Sequence, residues 1–278
     1  FRLIAWVFSP VTRLYKRIHN FLIFEPEERS AADAFATAIQ SPSVLLEHID
    51  ALRKHLLRAL LVLVLAILSM FAFTPSLIDF LARPVGGMTA LKAIDVTEPV
   101  GVFMRVALLA GFTLATPYIV FEFWWFTARG LRARTRRFGL LGIPLAILFF
   151  IGGMAFAYFG MLPTALPFLL NFMGMETTPR PSSYIGFVAG LMFWIGVAFE
   201  FPLVIYTLTA IGVIQPRALA QQWRLAIVLI AVLAAAITPT VDPVNMSLVM
   251  APMILLYFFS IGFSYLAYAG RKKNENPP

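Results

Sequence analysis

Long apolar runs alternate with short basic or proline-punctuated segments along most of this chain. In residues 1–24, Leu14, Ile18, Phe21 and Leu22 recur at helical spacing, with Arg13, Lys16 and Arg17 on another face. That pattern predicts a helix lying in a membrane interface, interrupted at Pro10. It lacks the continuous apolar centre and small-residue cleavage site of a secretory leader, and a chain opening at Phe1 is read as continuing upstream. A polar linker with a short amphipathic stretch at 31–39 follows. Ser43 is placed to cap the next helix, whose early Glu47 and Asp50 suit a helix N-terminus.

That helix is amphipathic through Arg58 and wholly apolar over 59–73, the first expected span. A bilayer core takes roughly 20 apolar residues. On that measure further spans are expected at 100–126, 138–161, 184–214 and 246–269. A sixth, 225–237, reaches only about 20 Å at 1.5 Å per residue. Outer loops are expected at 74–98, with an interfacial segment at 75–81, and at 162–183, punctuated by Pro163, Pro167, Pro179 and Pro181. Gly152 and Gly153 are expected to allow close helix contact. Arg105, near the start of the second span, is expected to snorkel outward.

The 184–214 run carries one carboxylate, Glu200, near its middle. A carboxylate there costs roughly 2.5–3.5 kcal/mol on insertion scales, so it faces a partner or a wet cavity. Pro202 follows, and its missing N–H frees a carbonyl one turn back. The short fifth span is expected to leave Glu200 open sideways toward lipid. The alternative is an acid paired within its own bundle.

Composition agrees: 60% hydrophobic, 13% charged and mean hydropathy +0.84 define a polytopic membrane protein. No cysteine is present, which excludes disulfides and thiolate metal sites; His19, His48 and His55 are too scattered to suggest a metal cluster. No cofactor is expected, and no phosphate-binding glycine loop occurs. The net charge of +8 does not point to nucleic acid, because the cations cluster at the ends of apolar runs, where lipid headgroups account for them. Residues 1–58, 128–137, 215–224 and 271–273 hold 18 of the 22 Lys and Arg. The positive-inside rule therefore predicts an all-α fold of six transmembrane helices with both termini cytoplasmic. The expected division is 1–42 as interfacial segment and linker, 43–270 as the membrane domain, and 271–278 as a polar tail.

Several short motifs then fall in order. His48-Ile49-Asp50-Ala51-Leu52-Arg53-Lys54-His55-Leu56 precedes the first span. Pro84, and Asp95 through Pro99, lie in the first outer loop. Pro117 through Phe126, including Phe121, Glu122 and Trp124, close the second span. Gly153 through Tyr158, Phe199-Glu200-x-Pro202, and Thr238-Pro239 followed by Asp242 complete the set. Together they resemble the TatC family, the multispanning core of the twin-arginine protein translocase, over about residues 43–270.

The resemblance implies a cupped bundle in a bacterial or archaeal-type plasma membrane, without enzymatic activity and driven by the proton-motive force. It implies docking of Arg-Arg signal peptides at Glu47, His48, Asp50, Arg53, Glu122, Trp124 and Phe126. It further implies packing of TatA- and TatB-type single-span subunits near Glu200 and Pro202, in a homo- or hetero-oligomer, with Pro84, Asp95 and Asp242 as outer-loop family positions. Trp124 and Trp125 also read as interface anchors. Two family acids are replaced here, by Ala51 and Thr135, and Phe258 stands where relatives carry a glutamate. The carboxylates expected to compensate are Glu47, Asp50 and Glu122, since guanidinium–carboxylate contacts supply both energy and geometry. The competing readings are a TatC-derived structural subunit without receptor activity and a proton-coupled small-solute transporter using Glu200. For the transporter, no internal repeat is visible.

Overall fold

The computed structural model describes residues 42–128, 133–171, 178–238 and 243–275. Those residues are helical throughout, without a strand, and include nine α-helices. The interfacial segment expected at 1–24 lies outside them, as does Asp242.

Helix α1 (Pro42–Met70) runs unbroken from the amphipathic stretch through the first apolar run. It starts at Pro42, so Ser43 falls in its first turn rather than at its cap; proline is favoured there because no N–H is needed. The chain then bends by 75° into α2 (Thr74–Ala82). This helix covers the re-entering or interfacial segment expected from the sequence at 75–81. A 3₁₀ turn, Arg83–Val85, carries Pro84 and ends at Gly86, whose φ of 93° is the left-handed region that glycine adopts without strain.

Helix α3 (Glu98–Ala128) is the second apolar helix. Helix α4 (Ala133–Ala155) passes through a π-helical stretch, Phe156–Met161, into α5 (Leu162–Leu170). Residues 162–170 are therefore helix and not outer loop. Pro163 sits in the first turn of α5, where its missing N–H costs little. Helix α6 (Pro181–Ile211) contains Glu200 and continues through Pro202. Short α7 (Pro216–Gln221) leads to α8 (Trp223–Ile237) and α9 (Pro243–Glu275).

Four stretches are singly long and apolar enough to cross a bilayer, and the bent α1–α2 pair makes a fifth. The 15-residue α8 is about 22 Å long, against a hydrocarbon core of about 30 Å.

Helix α6 is the hub, packed on α9, α4 and α3, while α1 packs on α3. Two close approaches explain these contacts. A Cβ at Gly111 of α3 would lie 2.6 Å from the Cα of Ile67, so glycine lets α3 touch the backbone of α1. A Cβ at Gly153 would lie 2.8 Å from Phe199 and 3.0 Å from Gly196, which joins α4 to α6. Gly152 meets open space, so only one of the two expected packing glycines packs. The core centres on Val106, Met161, Leu162, Ile185, Val188 and Ile195.

Candidate functional site: one end of α1 and α3, and a cavity at Glu200

Helix α1 is exposed on one side where it carries Asp50, Arg53 and Lys54. Its other side turns His55 inward, 6% exposed. The α1–α3 contact brings His55 to Glu122, 67 positions away in sequence and itself 4% exposed. His55 Nδ1 meets Glu122 Oε2, and the Tyr118 hydroxyl donates to Glu122 Oε1 at 2.6 Å. The Arg58 guanidinium lies 3.9 Å from the same oxygen. A buried carboxylate without such partners would be expensive; here both oxygens are engaged.

Glu122 is thus a packed pin between α1 and α3, not the open acid that the sequence suggests as a substitute for the missing family carboxylates. Phe126 is half-buried and meets the His55 ring at a centroid distance of 6.0 Å. Glu47 and His48 belong to the early turns of α1, but their side chains lie outside the described set, as do those of 133–138, including Thr135. Neither His55 nor Tyr118 stood out in the sequence; a histidine at one helical turn before Ala59 and a tyrosine four residues before Glu122 were the available signals.

Trp124 is only 6% exposed, so it is not an anchor at the headgroup surface. Its indole packs against Gly139, where a Cβ would sit 2.5 Å from Nε1. That N–H is buried with no hydrogen-bond partner.

Trp124 and Glu200 line the same cavity, of about 480 Å³, with walls from α3, α4, α6 and α9, among them Ile119, Phe123, Ala146, Leu203 and Phe263. Glu200 is partly buried and its Oε1 has no hydrogen-bond partner. Pro202 is buried two residues further on. The short helix α8 is not a wall of this cavity. Helix α8 forms instead a separate apolar groove with Trp194, Val197 and Phe201 of α6 and Leu256 of α9. The spacing explains this: Trp194, Val197 and Phe201 recur on one face of α6, and Glu200, Leu203 and Thr207 on the next.

At the other end of α3, Asp95 forms a turn just before the helix. Thr97 donates to Asp95 Oδ1 from its backbone N–H at 3.0 Å and from its hydroxyl at 3.1 Å. The Thr97 backbone N–H first, then its hydroxyl, holds the Asp95 carboxyl below the usual aspartate value. Arg180 Nε donates to buried Glu98 Oε1 at 2.7 Å, joining α3 to the start of α6. Arg105 is exposed and reaches toward the start of α6: its Nη1 donates to the Ser182 carbonyl at 2.7 Å and lies where a Cβ at residue 186 would be, which explains Gly186.

These features define a polytopic helical membrane protein with polar sites at one helix end and within its apolar bundle. Comparison with known proteins narrows the class. The family profile described as Sec-independent protein translocase protein (TatC) matches residues 47–252. The chain is 34% identical over 226 residues to the Sec-independent protein translocase protein TatC of Carboxydothermus hydrogenoformans, covering 79% of this chain and 92% of that protein. It is 35% identical to the TatC of Aquifex aeolicus over 238 residues, 83% of this chain and 98% of that one. A crystal structure of the twin-arginine translocase receptor TatC superposes with a TM-score of 0.70 at 32% identity, covering 79% of this chain and 99% of that chain. The chain belongs to the TatC family.

Proposed function

We propose that this chain is the membrane core of a twin-arginine translocase and the receptor for Arg-Arg signal peptides. The observation that carries this reading is the coverage of nearly the whole of a solved TatC receptor by this fold. In this reading six spans cross a bacterial or archaeal-type plasma membrane, α8 being the short one, with both termini in the cytoplasm. The organisation is an interfacial segment at 1–42, a membrane domain at 43–270 and a polar tail.

The proposed docking face is the cytoplasmic end of α1 and α3. Asp50 and Glu47 supply carboxylates, while Arg53 and His48 flank them. Glu122 and Phe126 act from behind by fixing α1 against α3, and Trp124 by packing α3 on α4. Single-span TatA- and TatB-type subunits meet the intramembrane acid Glu200 beside Pro202. Pro84, Asp95 and Asp242 shape the outer loops, and cargo movement draws on the proton-motive force. An Arg-Arg signal peptide with a photoreactive group next to its arginines should cross-link to positions 50 and 53. Loss of cross-linking on Asp50→Asn with Glu47→Gln supports the face; unchanged cross-linking refutes it.

One observation favours a second reading. The family acids are absent at Ala51 and Thr135, and Glu122 is already paired, so a structural subunit without receptor activity is the alternative. Complementation of twin-arginine export in a strain lacking its own TatC separates the two: rescue supports the receptor, and stable insertion without rescue supports the structural subunit.

A further inference from the structure

The segment that follows the bend after Met70 has a soft joint at each end, a feature independent of the receptor reading. Before it lies the turn at 71–73, and after it come Gly86 and Gly87, with φ of 93° and 88°. Between these joints Ile78, Leu81 and Ala82 of α2 are buried in the same core as Val106, Tyr158 and Ile185. Apolar burial holds such a segment against the bundle. It is non-directional, however, and does not by itself set the angle of α2.

Direction comes from two hydroxyls. A helix leaves its last four carbonyls without partners of its own. At the end of α2 the Tyr158 hydroxyl donates to the Phe80 carbonyl and the Tyr184 hydroxyl to the Leu81 carbonyl, both at 2.8 Å. Both tyrosines are buried, and the Tyr158 ring also stacks on Phe80 with centroids 4.6 Å apart. The donors belong to different elements. Tyr184 stands at the start of α6, whereas Tyr158 lies within the π-helical stretch Phe156–Met161. Such wide turns are rare and concentrate where a helix serves a function. Here the wide turn changes the direction in which Tyr158 leaves the axis, compared with an unbroken helix from α4 to α5.

We propose that Tyr158 and Tyr184 lock the angle of α2, and that the π-helical stretch serves to aim Tyr158 at it. The chain has no cysteine, so Ser76→Cys on α2 and Val213→Cys beyond α6, both exposed, carry spin labels without background. Pulsed electron paramagnetic resonance reads their separation in the full chain in phosphatidylcholine nanodiscs. The run of α6 from Tyr184 to its end sets that separation at about 40 Å, at 1.5 Å per residue. The labelled parent should give one narrow distance. Tyr158→Phe keeps the ring stack and removes only the donor, and Tyr184→Phe removes the other. Each should raise a displaced population about two- to tenfold, the factor that one net hydrogen bond sets, and the double variant should multiply the two. Deleting Gly160, which is exposed and within the wide turn, should restore an α-helical turn and match Tyr158→Phe. In that background Tyr158→Phe should add nothing, while Tyr184→Phe should still add its factor. Circular dichroism and elution volume verify each fold. A parent-like distance in either Tyr→Phe variant, or loss of the whole fold, overturns the lock. A parent-like distance after the deletion, or a deletion that does not fold, overturns the aiming role of the π-helical stretch.

Discussion

His55 and Glu122 do at residue scale what no single motif position could do alone. Each is buried, and each satisfies the other's polar atoms, with Tyr118 completing the set. Cutting such a pair on one side strands the remaining partner, at a cost of about 1–3 kcal/mol for a buried polar group left unsatisfied. Glu122→Ala should therefore lower the apparent stability of the detergent-solubilised protein by several degrees in a thermal scan. The double variant with His55→Ala should lose less than the sum of the singles, showing a coupling of about 1–3 kcal/mol.

Asp95 offers a residue test outside the bilayer. Its carboxyl is held below the ordinary aspartate value by Thr97, so the contribution of this turn is complete above the unfolded aspartate value. That contribution disappears as pH falls through the lowered folded value. A carbon-13 titration of the Asp95 carboxyl should give a midpoint below that of an unstructured aspartate, and Thr97→Ala should move the midpoint up. A midpoint already at the unstructured value in the parent protein would rule out the Asp95–Thr97 hydrogen bonds.

Among elements, the contact of α1 with α3 is set by the absence of a side chain at Gly111. The backbone of Ile67 occupies the place of a Cβ, and backbone cannot rotate aside as a flexible side chain can. Gly111→Val should push the helices apart at a cost of about 1–3 kcal/mol, the range for overpacking. It should also loosen His55 from Glu122, seen as faster amide exchange in the middle of α1. Unchanged exchange and stability would mean that the two helices are held by other contacts.

Elements of this kind were largely legible in the sequence, because an apolar run of more than 20 residues has few alternatives to a spanning helix. The short α8 was legible from the length of its apolar run, whereas the bend after Met70 falls inside the run read as the first span. The helical continuation through Pro163 was not, because a π-helical stretch beside it leaves no mark in the apolar pattern. The sites were less legible still. Glu200 announced itself as a lone acid in an apolar run, but the helices walling it depend on which face of α6 meets which neighbour. The partners of Glu122 and Arg105 lie 67 and 77 positions away, and no local spacing encodes them.

For the whole molecule, charge decides orientation. With 18 of 22 Lys and Arg in the segments assigned to one side, a fluorescent reporter fused to either terminus should glow in the cytoplasm. A phosphatase that works only outside should stay inactive at both. Opposite results at the two termini would require an odd number of crossings and would displace α8 as a span. Export by the complemented strain is the corresponding functional measurement.

Helix α1 has a mechanical consequence. It is one rod of 29 residues, clasped at mid-length by the His55–Glu122 pin and near its end by Gly111 at Ile67, with α2 turned 75° beyond it. A rod held at two points, His55 and Ile67, resists pivoting between them. The stretch before His55, which carries Asp50, projects beyond the inner clasp as a free arm.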